Sequence, residues 1–111
     1  METPPSVRKC LDENGGMKSV IDSLPPQTEI ENWSASLKAA GDPARLKILF
    51  LLRRQPLCVC LIKKAVKMSD SKLSYHLGLL KRAGLIEGRQ EGSWIIYALT
   101  EDGGELLEVL D

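Results

Sequence analysis

The chain has 111 residues, of which 43% are apolar and 27% are charged, a balance typical of one globular domain rather than of a disordered chain. Its apolar runs, such as residues 48–52, reach at most six residues, whereas a membrane-spanning helix needs about 20, so we do not expect a membrane protein. The net charge is zero, but residues 36–97 carry 12 basic and four acidic side chains, which indicates either a nucleic-acid-binding surface or a solvated mixed surface.

The N-terminal third contains several residues that interrupt helices. Three pairs stand within the first 28 positions: Pro4-Pro5, Gly15-Gly16 and Pro25-Pro26. We therefore expect residues 1–28 to form a largely irregular extension with at most a short helix near residues 17–24. Thr28 and Glu31 have the spacing of a capping box, which predicts that a helix begins at Thr28 and ends before Gly41. Residues 29–111 are the predicted folded domain.

The middle of the chain predicts three consecutive helices. Asp42 and Pro43 are typical of an N-cap and a first helical residue, and the apolar helix from 43 to about 54 is the expected centre of the core. A next helix is predicted from about residue 57 to 66. Ser69 or Asp70 then caps a helix over residues 70–83, which turns one apolar side inward. That side carries Leu73, Leu77 and Leu80.

After Gly84 the apolar period changes from 3.6 to 2, which predicts a β-hairpin. Its strands cover residues 85–89 and 94–100, with a turn at 90–92, and we expect Trp94, Ile96 and Tyr97 to be packing residues. Thr100 caps a last helix over residues 101–110. This order predicts a mainly α fold with a β-hairpin wing, the winged helix-turn-helix.

The helix over 70–83 is the candidate recognition helix, and the hairpin tip is the candidate wing. Short hydroxyl groups and a helix N-terminus suit phosphate oxygens, whereas lysine, tyrosine and histidine reach base edges. The candidate DNA-binding residues are Ser69, Ser71, Lys72, Ser74, Tyr75, His76, Arg89 and Gln90. The alternative is that the serines only cap the helix and that His76 only packs beside it.

Two cysteines, Cys58 and Cys60, stand two residues apart at the start of a predicted helix. Side chains two apart on an ideal helix point about 200° from each other, but the first turn after Pro56 can depart from that geometry. Two thiolates on one side would suit a soft metal or metalloid. Free cysteine is also often a small core residue, and the spacing alone favours that second interpretation.

The remaining features concern the compartment and the class of protein. Residues 1–5 lack the pattern of a signal peptide, so we expect a cytoplasmic protein with its three cysteines reduced. One histidine, no glycine-rich phosphate loop and no paired catalytic carboxylates indicate that the protein is not an enzyme. No obligatory cofactor is expected.

Several stretches together resemble the ArsR/SmtB family of repressors. Residues 37–49 are similar to the family's helix-entry signature, and Leu57-Cys58-Val59-Cys60 resembles its metal-binding motif. Residues 69–80, 83–86 and 91–97 resemble its recognition helix and wing. The resemblance implies a homodimeric winged-helix repressor that leaves double-stranded operator DNA when an inducer binds.

The resemblance also implies ligands. In family members with this motif, both cysteines bind arsenic, antimony, cadmium, lead or related ions, a role that falls here to Cys58 and Cys60. Arsenic-responsive members often carry another cysteine three residues later, where this chain has Lys63. Other relatives recruit a cysteine from an N-terminal extension, usually of the other protomer, which makes Cys10 the candidate third ligand. Three sulfurs favour trivalent arsenic or antimony over zinc, which prefers four ligands.

The chain departs from the family pattern at several positions. Pro56 and Leu61 replace the motif's flanking acids, and Asp70 stands where relatives often carry a DNA-reading glutamine. Residues 101–111 contain no histidine, so the family's second, zinc-binding site is not expected. Two rivals to metalloid sensing remain: a thiol-redox switch, for which a bridge from Cys10 is the easier one, and a winged-helix protein-interaction module without an operator.

Overall fold

The computed structural model describes residues 3–110. Seven helices and three short strands follow one another along that range: α1 Pro5–Glu13, α2 Gly16–Asp22, α3 Gln27–Ala40, α4 Pro43–Arg54, β1 Leu57–Cys58, α5 Val59–Val66, α6 Asp70–Arg82, β2 Ile86–Glu91, β3 Trp94–Leu99 and α7 Glu101–Glu108. The chain divides into two compact units, with the boundary after Glu31. No helix within residues 3–110 has the length and apolar content needed to cross a membrane.

The first unit is more regular than the sequence predicts. α2 confirms the short helix expected near residue 17, but the irregular structure expected before it is wrong, because α1 forms there. Pro5 occupies the first turn of α1. The N–H groups of that turn have no acceptor within the helix, so the N–H that proline lacks is not needed, and the fixed φ of proline is already helical. Proline therefore begins this helix rather than preventing it.

The start of α3 also differs from the prediction. The helix begins at Gln27, and the carbonyl of Pro26 accepts the backbone N–H groups of Glu29 and Ile30 at 3.0 and 3.1 Å. Thr28 consequently lies inside the first turn and cannot act as the N-cap. The predicted capping box is wrong because the carbonyl of Pro26 already accepts the first helical hydrogen bonds.

The second unit has the predicted mainly α architecture with a hairpin wing. Its core is formed by one side of α4, α6 and the segments that follow them, and its buried apolar residues are Ala40, Ile48, Leu49, Leu52, Ile62, Leu73, Leu77, Leu80, Leu85, Ile86 and Leu107. The α4 and α6 predictions are confirmed, including the N-caps Asp42 and Ser69. The winged helix-turn-helix prediction is confirmed by this order of elements.

The sheet contains a strand that the sequence analysis missed. β1 pairs with β3 in antiparallel register, Leu57 opposite Tyr97, and the strand order is β1-β3-β2. The predicted helix start near residue 57 is therefore wrong, and α5 begins at Val59. In the hairpin, β2 continues to Glu91 and the turn lies at Gly92-Ser93, where Gly92 supplies a φ of +60°. Gln90 consequently belongs to the strand and not to the turn.

α7 is fixed to the start of the wing by hydrogen bonds. The hydroxyl of Thr100 donates to the carbonyl of Gly84 at 2.7 Å and accepts the N–H of Gly103 at 3.0 Å. Thr100 is thus the N-cap of α7, as predicted. These bonds hold the last helix against the segment that joins α6 to β2.

Candidate functional site

The helix pair α5 and α6 forms the predicted helix-turn-helix. α5 ends at Val66, and its C-cap Lys67 adopts the left-handed conformation with φ +52°. The side chain of Ser69 then accepts the N–H of Lys72 at 3.2 Å and begins α6. A three-residue turn with one left-handed residue therefore sets the direction of the candidate recognition helix.

Most of the candidate DNA-binding residues on α6 are exposed to solvent. Tyr75 has 61% of its surface accessible, and the exposed set also contains Ser69, Ser71, Lys72 and Ser74. Ser69 has a second role as the cap of the helix, and its hydroxyl lies 3.4 Å from that of Ser71. The first two turns of α6 thus offer a hydroxyl-rich surface with one lysine and one tyrosine.

His76 is half-buried and forms a contact with α4. Arg45 Nη1 lies 3.0 Å from His76 Nδ1. A guanidinium group has no acceptor, so Nδ1 accepts this hydrogen bond and the ring proton lies on Nε2. The ring also makes an edge contact with Tyr75. The geometry therefore gives His76 a structural partner and leaves Nε2 as the ring atom that can donate to DNA.

Arg45 is the residue of this region that the sequence analysis missed. Its Nε donates to the carbonyl of Ala39 at 2.5 Å, so one side chain connects the end of α3, the start of α4 and the recognition helix. Its backbone N–H and that of Ala44 donate to the Asp42 carboxylate at 3.1 and 2.9 Å. The hydrogen bond from the Arg45 N–H is the main cause that lowers the pKa of Asp42. Arg45 lies in the run 37–49 that resembles the family's helix-entry signature, but nothing in that run indicates its contact with His76.

Arg89 and Gln90 lie on β2, the first strand of the wing, and both residues are exposed to solvent. Arg89 Nη2 lies 3.4 Å from Glu91 Oε1, and Gln90 Nε2 donates to the carbonyl of Gly92 at 3.3 Å. Trp94, expected to be a packing residue, is 61% exposed because it stands at the tip of the hairpin beyond the core. Tyr97, in contrast, does pack against the core.

The thiol pair is formed where β1 meets α5. Cys58 has extended backbone, φ −73° and ψ 157°, and is the N-cap of α5, whereas Cys60 lies in its first turn. The two Sγ atoms are 2.6 Å apart, so the 200° separation of an ideal helix does not apply. The hydrogen bond between the two sulfurs lowers the pKa of Cys58 and raises that of Cys60, and the N–H of Leu61 at the helix start adds to the first effect. Cys58 is therefore the thiol that ionises first.

Cys10 and Lys63 stand at the two positions where the family resemblance places a third ligand. Cys10 is exposed on α1 in the first unit. Across residues 3–110, no group of three or more His, Cys, Asp or Glu side chains is arranged to hold a metal ion. Lys63 Nζ lies 2.7 Å from Asp70 Oδ1, an ion pair that joins α5 to α6.

Comparison with known proteins agrees with the architecture. Residues 42–87 match the family described as bacterial regulatory protein, arsR family. An uncharacterized HTH-type transcriptional regulator from Methanocaldococcus jannaschii is 41% identical over 83 residues, which cover 73% of this chain and 93% of that protein. The arsenical resistance operon repressor of Bacillus subtilis is 35% identical over 74 residues, 66% of this chain and 70% of the relative.

A solved structure gives the same result for the fold. It is the homodimeric winged helix-turn-helix DNA-binding domain of a possible ArsR-family transcriptional regulator from Mycobacterium bovis. That domain is 28% identical to this chain and superposes on it with a TM-score of 0.70. The match covers 79% of this chain and 84% of that domain. The resemblance seen in the sequence is thereby confirmed. The chain belongs to the arsR family of bacterial regulatory proteins, which are winged-helix transcriptional regulators.

Proposed function

We propose that this protein is a homodimeric, cytoplasmic repressor that leaves its operator when a thiophilic metalloid binds Cys58 and Cys60. The observation that carries this proposal is the convergence of the two sulfurs, 2.6 Å apart, at the start of the helix that precedes the recognition helix. A ligand bound to both sulfurs connects β1 to α5. Because α5 is the first helix of the helix-turn-helix, the ligand acts directly on the DNA-binding unit. The arsenical resistance repressor among the relatives supports the same class of inducer.

DNA binding is assigned to α6 and the wing. The exposed first turns of α6 enter the major groove, where Lys72 and Tyr75 face base edges and the serines face phosphates. Arg89 and Gln90 on the wing reach the flanking minor groove. Two copies of this arrangement read two half-sites, as in other dimeric helix-turn-helix proteins.

The inducer is assigned to trivalent arsenic or antimony, with cadmium and lead as the next candidates. Cys58 is the first nucleophile because its pKa is lowered, and Cys60 follows; each new bond from sulfur replaces one hydroxyl group of the arsenite or antimonite, which leaves as water with the proton of the thiol. Lys63 supplies no third sulfur, so the proposal assigns that position to Cys10, supplied by the other protomer. A single atom that binds both sulfurs needs them farther apart than 2.6 Å, so a side-chain rotation separates the pair as the ligand binds.

The test is fluorescence anisotropy of the reduced protein on DNA from upstream of its own gene. We expect binding that weakens with salt, and release by arsenite with a coupling of about 1–3 kcal/mol. Cys58→Ser and Cys60→Ser are expected to bind DNA and to resist arsenite, while Cys10→Ser reports on the third ligand. Release of the Cys58→Ser variant by arsenite would contradict the assigned site, and absence of binding at low salt would contradict the operator.

A thiol-redox switch is the second candidate, and the same sulfur distance favours it. Sulfurs 2.6 Å apart are close to the disulfide length of about 2.05 Å, so a bridge between Cys58 and Cys60 needs less movement than their spacing suggests. In that case peroxide, and not arsenite in the presence of reductant, releases the DNA. The mass of the released protein, two hydrogens lighter or one arsenic heavier, distinguishes the two chemistries.

A further inference from the structure

The turn of the helix-turn-helix is crossed by one ion pair. Lys63 Nζ on α5 contacts Asp70 Oδ1, on the first residue of α6, at 2.7 Å. Both side chains are exposed, 45% and 83% respectively, so the pair contributes little to folding. Its position matters more than its strength, because it connects the thiol-bearing helix to the candidate recognition helix.

Lys63 lies on the same side of α5 as the thiol pair. Residues three apart on a helix are neighbours, so Lys63 is one turn beyond Cys60. Ile62, between them, is fully buried and anchors the middle of the short helix in the core. Lys63 follows Ile62 directly, so it stands between the thiol-bearing first turn of α5 and the contact with Asp70.

Asp70 is an acid at the start of the helix that is proposed to bind DNA. The N-terminus of a helix attracts phosphate through its free N–H groups, and a carboxylate there repels the same phosphate. With Lys63 in contact, the charge of Asp70 is compensated. Without it, one negative charge per protomer faces the DNA backbone at the entrance to the major groove.

We propose that Lys63 is a positioning residue that transmits ligand binding from the thiols to the recognition helix by compensating, or exposing, the charge of Asp70. This inference rests on the proposed function. Ligation of Cys58 and Cys60 displaces the first turn of α5, Lys63 leaves Asp70, and the bare carboxylate weakens the hold on DNA. Lys63, at the position where some relatives carry a third thiol, thus acts in the response without being a ligand.

The first test measures DNA affinity without any inducer. Lys63→Met is expected to weaken binding by up to about fivefold per half-site, the range for one exposed ion pair, and Lys63→Arg to retain the affinity. Lys64→Met is the matched control, because Lys64 loses the same charge but pairs with no carboxylate among residues 3–110. Equal losses in Lys63→Met and Lys64→Met would overturn the proposal, since bulk charge would then explain both.

The second test measures the inducer response. Asp70→Asn is expected to bind DNA at least as tightly as the unaltered protein and to be released less by arsenite, while its thiols bind arsenite with unchanged stoichiometry. An unchanged release in Asp70→Asn would overturn the proposal. If the unaltered protein ignores arsenite, the proposed function fails instead, and the inducer-free comparison of Lys63→Met with Lys64→Met still decides whether the pair supports DNA binding.

The exchange Lys63→Asp with Asp70→Lys separates a charge effect from a mechanical brace. A purely mechanical contact does not depend on which of the two residues carries the positive charge. If the pair acts only in that way, the doubly exchanged variant would show the same arsenite response as the unaltered protein. Under the proposal the exposed group is then a lysine, which attracts DNA, and the response is expected to be smaller than that of the unaltered protein. Full restoration of the response would overturn the charge mechanism.

Discussion

At the scale of single residues, the carboxylate of Asp42 holds the start of α4 by accepting two backbone N–H groups. We expect Asp42→Ala to cost about 1 kcal/mol of unfolding free energy, measured by urea denaturation, because those donors lose their partner. Asp42→Asn keeps an acceptor and serves as the control with a loss of a few tenths of a kcal/mol. A loss in Asp42→Asn equal to that in Asp42→Ala would assign the effect to charge and not to capping.

Asp42 also predicts a pH dependence. Its pKa in the folded protein lies below the ordinary value of 3.8, so the carboxylate stabilises the fold above that value. The contribution is lost as the pH falls through the lowered pKa, because protonation then removes the negative charge that strengthens both hydrogen bonds. We expect the stability difference between the unaltered protein and Asp42→Asn to be constant from pH 5 to 7 and to shrink below about pH 4. A difference that changes between pH 5 and 7 would point to another group.

Gly103 and Gly104 are adjacent in α7 but differ in surroundings. A Cβ on Gly103 would collide with the carbonyl of Leu85 and lie 2.7 Å from Leu99 Cδ1, whereas a Cβ on Gly104 would lie 3.9 Å from Leu99 Cδ2. We expect Gly103→Ala to destabilise the fold by about 1–3 kcal/mol through overpacking. Gly104→Ala is expected to stabilise it by about 0.5–1 kcal/mol, because alanine is the better helix former. Thermal unfolding of both variants checks the contrast.

Single residues also show where sequence reasoning succeeds. Asp42, Ser69 and Thr100 act as N-caps as predicted, because a cap depends on the next three residues of the chain. The Arg45–His76 contact joins residues 31 apart and has no local signal. Thr28 shows that even a local pattern fails when the helix begins earlier, here with the Pro26 carbonyl as the first acceptor.

At the scale of elements, the thiol site depends on a strand of two residues. Leu57 and Cys58 are extended because they pair with Tyr97 and Ile96 of β3, some 40 positions later, and apolar periodicity cannot reveal such a partner. The sequence identified the two cysteines, but their convergence follows from this pairing. The recognition helix, in contrast, follows directly from its own stripe of leucines, since a helix selects its buried face within its own length.

The wing permits a prediction at the same scale. Arg89 is exposed, and its one ion pair within residues 3–110 is with Glu91 at 3.4 Å, so its loss is expected to leave stability nearly unchanged. We expect Arg89→Ala to weaken operator binding and to lower the slope of log affinity against log salt by about one per wing contact. Glu91→Gln is the control, since it frees Arg89 and removes a negative charge, and it is expected to maintain or raise affinity. A salt slope unaffected by Arg89→Ala would place the wing away from the phosphates.

At the scale of the whole molecule, the second unit presents exposed apolar side chains near its last helix. Exposed apolar side chains occur on α3, where Trp33 is 53% and Leu37 59% accessible, and just after α7, where Val109 is 80% and Leu110 54% accessible. A groove of about 500 Å³ between α3 and α7 is lined by Trp33, Leu37 and Val109, among others. Contiguous exposed apolar surface of this kind marks an interface, and a dimer of the proposed repressor would bury it.

This surface gives the prediction that tests the assembly. In a two-fold interface each substitution acts twice, so Leu37→Glu places two unpaired carboxylates in one apolar contact. We expect it to shift the protein from dimer to monomer in sedimentation experiments and to weaken operator binding, because each monomer then reads only one half-site. Ile95→Glu places the same charge on the wing, where the side chain is 46% exposed, and is expected to remain dimeric. If Leu37→Glu remains dimeric while Ile95→Glu dissociates, the two-fold contact lies on the sheet side of the domain, and the spacing of the two recognition helices must be derived from that contact instead.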